Sequence, residues 1–203
     1  MTVNTVVYVI IAYLIGSVSF ALLSSRLFGL ADPRTYGSGN PGATNVLRSG
    51  SKGAALVTLA GDAAKGWVVV WFGLGYGAQW GIDTTAVAFS SVAVFVGHLW
   101  PVFSRFQGGK GVATALGVLL GISPLLGGLA LLTWLAVALI WRFSSLAAVV
   151  AAVLAPLYYA FLTGFNIQFA CIIVMSCLLL CRHAENISNL LRGAESRIGS
   201  PKN

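Results

Sequence analysis

Three stretches of this chain concentrate the residue types that bind phosphate. They are "GSGNPGATNVLR" at residues 37–48, "FQGGKGVAT" at residues 106–114 and "RHAENI" at residues 182–187. In the first, glycines alternate with Ser38, Asn40, Thr44 and Asn45, and Arg48 follows one turn later. Glycine lets backbone N–H groups converge without Cβ atoms in the way, and successive N–H groups form a nest for an anion. Ser38, Thr44 and Asn45 add side-chain donors, and "ATNVLR" reads as a short helix whose start also favours an anion. The second stretch sets Lys110 among Gly108, Gly109 and Gly111, with the hydroxyl of Thr114 behind it. In the third, His183 and Asn186 are three apart, so they share one helix face.

Two nucleotide motifs are excluded. "GSGNPG" fits the GxGxxG string, but a dinucleotide fold needs a strand before it and a soluble βαβ unit around it. "ADPRTY" precedes the string here, and no GxxxxGK[ST] occurs.

The elements that position these stretches lie in a membrane. Only 8% of the 203 residues are charged and 58% are hydrophobic, whereas a soluble domain carries about 25% charge. Residues 1–25, 84–104, 111–141 and 143–181 contain no Asp, Glu, Lys or Arg, and a spanning helix needs about 20 apolar residues. The first basic residue is Arg26. A cleaved leader needs a basic start, so the first apolar run is expected to be a retained helix.

Twelve basic against five acidic residues leave a net charge of +7, and their placement orients the spans. Arg26, Arg34, Arg48 and Lys52 share one polar loop, Arg105 and Lys110 a second, and Arg182, Arg192, Arg197 and Lys202 the tail. Positive loops stay in the cytoplasm. Spans are therefore expected near 5–25, 56–77 and 85–104. The run 111–141 would be about 46 Å as one helix, and "GISPLLGG" divides it near residues 123–125. Two more spans fill 143–181, turning near "TGFN". The expected fold is an all-α, polytopic bundle of about seven transmembrane helices. Its N-terminus is outside and its C-terminus cytoplasmic, in a single domain over 1–203.

Cys171, Cys177 and Cys181 have no disulfide or zinc spacing and read as small apolar residues. Asp62 and Lys65, three apart inside the second span, are a structural ion pair or line a site. His98 reads as a polar contact at a helix end. Trp100 and Trp141 suit the membrane interface, and Gly127 and Gly128 suit close helix packing.

The three polar stretches, with "GHLWPVFSR" before the second, resemble the signature segments of the bacterial acylphosphate:glycerol-3-phosphate acyltransferase family (PlsY). The likeness runs from the first helix to the tail. It implies an inner-membrane enzyme, multi-pass, with its site facing the cytoplasm. The enzyme moves a fatty acyl group from acyl phosphate to the 1-hydroxyl of glycerol 3-phosphate, giving lysophosphatidic acid and phosphate. Residue by residue, the resemblance assigns Ser38, Gly39, Asn40, Gly42, Ala43, Thr44 and Asn45 to the acyl phosphate. It assigns Arg48, Lys110, Ser145, His183 and Asn186 to glycerol 3-phosphate, with Lys110, His183 and Asn186 catalytic. No cofactor, metal, nucleic acid or obligate protein partner is expected; substrates and membrane lipids are. Gln107 and Asn189 stand where the family pattern has a basic residue, which lowers the positive charge beside two motifs.

Acyl phosphate is already activated, so no covalent acyl-enzyme is expected. Anion-binding groups and positioning carry the reaction. The HxxxxD pair of another lipid acyltransferase family is absent: Phe103 stands five after His98, and Ser188 five after His183. The proton acceptor is therefore open between His183 and a substrate phosphate oxygen. A small-anion transporter is the competing reading. It calls for inverted repeats and polar residues at the midplane. No clear repeat is visible, and the motifs gather at one face.

Overall fold

The structure is a computed structural model and describes residues 2–199; Lys202, counted in the basic tail, lies outside the described residues. Its helices are α1 (Val3–Gly16), α2 (Phe20–Leu27), α3 (Ala43–Leu47), α4 (Lys52–Tyr76), α5 (Thr84–Leu99), α6 (Val112–Ile122), α7 (Pro124–Trp141), α8 (Ser144–Thr163), α9 (Ile167–Arg182) and α10 (Ala184–Leu191). Among the described residues there is no strand, as the all-α expectation requires. Thr2, Ser19, Ser51, Asp83, Ser123 and Asn166 each accept the amide three residues on, at the starts of α1, α2, α4, α5, α7 and α9. Such caps matter most in lipid, where water cannot satisfy the first amides of a helix.

Every expected span has a helix at its place: α1 with α2, α4, α5, α6, α7, α8 and α9. Among the described residues, five segments are long and apolar enough to cross a membrane, or six if α9 and α10, bent by 58°, are one broken span. The expected span at 111–123 is α6, only 11 residues long. That is about 16 Å, half of a ~30 Å hydrocarbon core. Its short length has a local cause. Thr114 lies against Gly66, midway along α4, and Gly121 against Val70. Thus α6 runs parallel to the second half of α4, and the Gly108–Gly109 turn before it packs on the end of α5. The first span is also interrupted: residues 17–19 separate α1 from α2.

Glycines bring the helices close. A Cβ at Gly16 would strike the Val94 backbone, at Gly97 the Tyr13 carbonyl, and at Gly117 the Ala63 carbonyl. α1 therefore packs on α5 and α6 on α4 at backbone contact, the usual solution where lipid removes the hydrophobic drive between helices. Gly127 packs on Leu120 as expected, while Gly128 faces open space. Leu132, Leu139, Ile140, Phe161 and Phe165 are exposed, as a lipid-facing surface requires. At one end of the bundle, Asn4 reaches the Trp80 carbonyl. All three polar stretches meet at the other.

Candidate active site

The first polar loop is tied by one side chain. Asn45 is buried; its Nδ2 donates to Pro33 O (2.7 Å) and Tyr36 O (3.2 Å), and its Oδ1 accepts from the Ser38 amide (2.9 Å). Gly37 and Gly39 take φ of 61° and 66°, which side chains rarely adopt. A Cβ on Gly37 would also press into the Asn45 amide. The expected nest is correspondingly reduced. The N–H groups of Ser38, Gly39 and Gly42 bond within the loop, and Asn45 holds the loop instead of facing an anion. Ser38 and Thr44 are exposed on it, and Asn40 is partly exposed. Thr44 Oγ1 lies 3.3 Å from Ser144 Oγ at the start of α8. Arg34 is spent on Asp32, with Nη2 2.6 Å from Oδ2, and the guanidinium holds that carboxyl below its usual range.

The second loop reverses sharply after α5. Arg105 and Phe106 are both left-handed, at φ 53° and 60°. The turn lays Gly108 and Gly109 on the last carbonyls of α5: the Gly109 amide donates to His98 O (3.2 Å). A Cβ at Gly108 would meet His98 O and Leu99 O, at Gly109 the His98 ring and Pro41 O, and at Gly111 the Phe95 ring. These glycines are there for close packing, and Thr114 is buried against α4. Lys110 alone turns into the site.

The third stretch bends the chain. His183 sits at the 58° break between α9 and α10. Its Nδ1 lies 2.9 Å from Leu179 O, so the neutral ring donates there and keeps a lone pair on Nε2. Asn186 Oδ1 accepts from Lys110 Nζ. Arg182, used at first only in counting charge, donates to Gly108 O (3.0 Å) and Gly109 O (3.3 Å) and lies over the Trp100 ring. It clamps the Lys110 loop to α9. Its place at the head of "RHAENI" was the available signal.

Lys110, Asn186, Ser145, His183 and Arg48 thus converge from four parts of the chain. Ser145 Oγ (2.6 Å) and Asn186 Nδ2 (2.7 Å) donate to one oxygen of Glu195, and Arg48 Nη2 donates to Ser196 Oγ (2.9 Å). Burial, more than any neighbouring charge, pulls the Lys110 ammonium below the usual lysine range; Glu195 and Glu185 oppose this, and Arg182 and Arg48 add to it. The cluster is a part-buried cation with donors from α8, from α10 and from Arg48 at the end of α3, built to hold an anion.

Beneath it lies a second polar group. Asp62, Lys65 and His98 are buried. Lys65 Nζ is 2.9 Å from Asp62 Oδ1 and 2.8 Å from His98 Nδ1, and donates to Val18 O (3.0 Å), the carbonyl freed by the α1–α2 break. Asp62 and Lys65 are therefore an ion pair. His98 is more than a helix-end contact, since its ring and carbonyl support the Gly109 backbone.

Residues 6–193 match the family described as glycerol-3-phosphate acyltransferase. The chain belongs to this family. A glycerol-3-phosphate acyltransferase of Paraburkholderia phytofirmans is 61% identical over 199 residues, 98% of this chain and 93% of that one. One from Ralstonia nicotianae is 58% identical over 200 residues, 98% and 97% of the two. Two crystal structures of PlsY (YgiH), an integral membrane glycerol 3-phosphate acyltransferase, share the fold. Its glycerol 3-phosphate form has a TM-score of 0.88 and 39% identity over 96% of both chains. Its lysophosphatidic acid form has 0.86 and 38%, over 96% of this chain and 95% of that one. This acyltransferase is thus an integral membrane enzyme of phospholipid synthesis, as the resemblance implied.

Proposed function

We propose that the chain, as one domain, transfers a fatty acyl group from acyl phosphate to the 1-hydroxyl of glycerol 3-phosphate. The observation that carries the reading is the meeting of Lys110, Asn186, Ser145, His183 and Arg48 at one polar end, in a fold shared with a glycerol 3-phosphate form. Arg48, Lys110, Ser145 and Asn186 hold the glycerol-phosphate anion. Ser38, Asn40 and Thr44 face the donor phosphate from the loop that Gly39, Gly42, Ala43 and Asn45 shape.

The hydroxyl oxygen attacks the acyl carbon, a new ester C–O bond forms, and the bond from that carbon to the phosphate oxygen breaks. The hydroxyl proton passes to a phosphate oxygen, so lysophosphatidic acid and inorganic phosphate leave. His183 Nε2 accepts the hydroxyl and aims it, since Nδ1 is held by Leu179. Lys110 stabilises charge on the departing phosphate. No residue needs to carry the acyl group.

The basic residues support an inner-membrane protein with the site in the cytoplasm. Arg26, Arg48, Lys52, Arg105, Lys110, Arg142 and Arg182 all lie towards the site end of the bundle. The deciding assay supplies purified protein with labelled glycerol 3-phosphate and either acyl phosphate or an acyl thioester. Lysophosphatidic acid and phosphate should form one to one from acyl phosphate. Turnover with the thioester alone, or acylated protein detected by mass when acyl donor is given without acceptor, would overturn the reading.

A further inference from the structure

The chain after α10 folds back over the site. Gly193 turns left-handed at φ 70°. The Ile198 amide donates to Arg142 O (2.6 Å), and Arg142 Nη2 donates to Ile198 O (3.0 Å). Ile198 packs against the cluster of Val137, Ala138 and Ala147, and the Arg197 guanidinium lies 5.3 Å from the Phe143 ring. Anchored at this α7–α8 corner, the tail presents Glu195 to Ser145 and Asn186, and Ser196 to Arg48. One carboxylate oxygen takes two donors that the site offers a phosphate, and a hydroxyl takes a third. Carboxylate and phosphate are both anionic acceptors, so they compete for the same donors. Residues 194–199 also lie beyond the stretch that matches the family.

We propose that Glu195 is an affinity-determining residue. Its carboxylate occupies the position of the glycerol 3-phosphate anion, and the segment 194–199 must be displaced for that substrate to bind. This rests on the site reading given under the proposed function. The tail makes the free enzyme a mixture of covered and open forms. Apparent affinity is then the intrinsic affinity reduced by the open fraction.

The test is full-length Glu195→Ala and Glu195→Gln, with KM measured separately for each substrate. In Glu195→Ala the KM for glycerol 3-phosphate should fall by roughly 3- to 30-fold as the open fraction rises, with Glu195→Gln in between. Turnover at saturation and the KM for acyl phosphate should hold. Inorganic phosphate, competing with glycerol 3-phosphate, should inhibit more tightly by the same factor. An unchanged or raised KM, or a collapse in turnover, overturns the proposal; a fall in the acyl phosphate KM instead means that the carboxylate covers the donor's phosphate. Arg48→Ala and Lys110→Ala separate the two readings. If neither weakens glycerol 3-phosphate binding, the site assignment itself fails; if both do while Glu195→Ala is inert, only the tail proposal fails. A nitroxide on Ala194→Cys, with Cys171, Cys177 and Cys181 replaced by alanine, gives an independent readout. Its spectrum should become mobile on adding glycerol 3-phosphate, and a spectrum that stays fixed at saturation overturns displacement.

Discussion

Lys65 Nζ lies 2.8 Å from His98 Nδ1, joining α4 to α5 directly beneath the loop that carries Lys110. The same ammonium pairs with Asp62 and caps the free carbonyl of Val18. Three interruptions of regular structure therefore meet at one buried cation: the α1–α2 break, the end of α5 and the Gly108–Gly109 turn.

Breaking that pair from one side should be costly. Asp62→Asn leaves Lys65 without its counter-charge inside the bundle, a loss of about 3–5 kcal/mol for buried pairs. Thermal unfolding in detergent should show Asp62→Asn far less stable than the parent. The double variant Asp62→Asn, Lys65→Met should regain most of the loss. If the double variant is as unstable as Asp62→Asn, the pairing is not what holds the region.

Two loop glycines should respond oppositely. Gly37 is at φ 61°, and its Cβ would press on the Asn45 amide that ties the loop. Gly42 has ordinary extended backbone, and its Cβ would meet only the movable Asn40 side chain, at 3.0 Å. Gly37→Ala should cut kcat/KM by at least about tenfold, consistent with ~1–3 kcal/mol of strain, while Gly42→Ala should stay within about threefold. Equal effects in steady-state assays would contradict the Asn45-centred loop.

Activity should have an alkaline limit set by Lys110. The ammonium form binds phosphate, and it is fully present below the residue's pKa. Burial moves that pKa down from 10.5, so glycerol 3-phosphate affinity should decline as pH rises through a value below the ordinary lysine range. Arginine keeps its charge there. A KM–pH profile of Lys110→Arg should lose this limb even if its rate is lower. Retention of the limb would assign it to another group.

His183 should orient more than it transfers protons. With Nδ1 held by Leu179 O, its role needs one acceptor atom. His183→Asn should raise the glycerol 3-phosphate KM and keep turnover within about tenfold. A general base is worth about 10²–10⁴ in rate. A folded, saturated His183→Asn enzyme slowed a thousandfold would make the histidine the proton acceptor.

The sequence by itself determined the membrane class, the places of the apolar helices and the three polar stretches. Each is carried by local composition: charge-free runs must be helices in lipid, and glycines beside Lys110 or Arg48 stand out against them. What local pattern cannot express is where a polar loop sits in depth. α6 starts late, at Val112, because the GGKG loop first turns back onto the His98 end of α5. The roles of the glycines and of Asn45 went the same way, since whether an amide faces an anion or its own loop depends on which carbonyls lie opposite. Asp62 and Lys65 were legible as a pair and His98 on its own, but only the crossing of α4, α5 and the α1–α2 break made the three one group. Arg182 and Glu195 became part of the site only through tertiary contact. Their partners, Gly108 and Ser145, are brought to them by the bend at His183 and the return of the tail, and no spacing along the chain encodes that meeting.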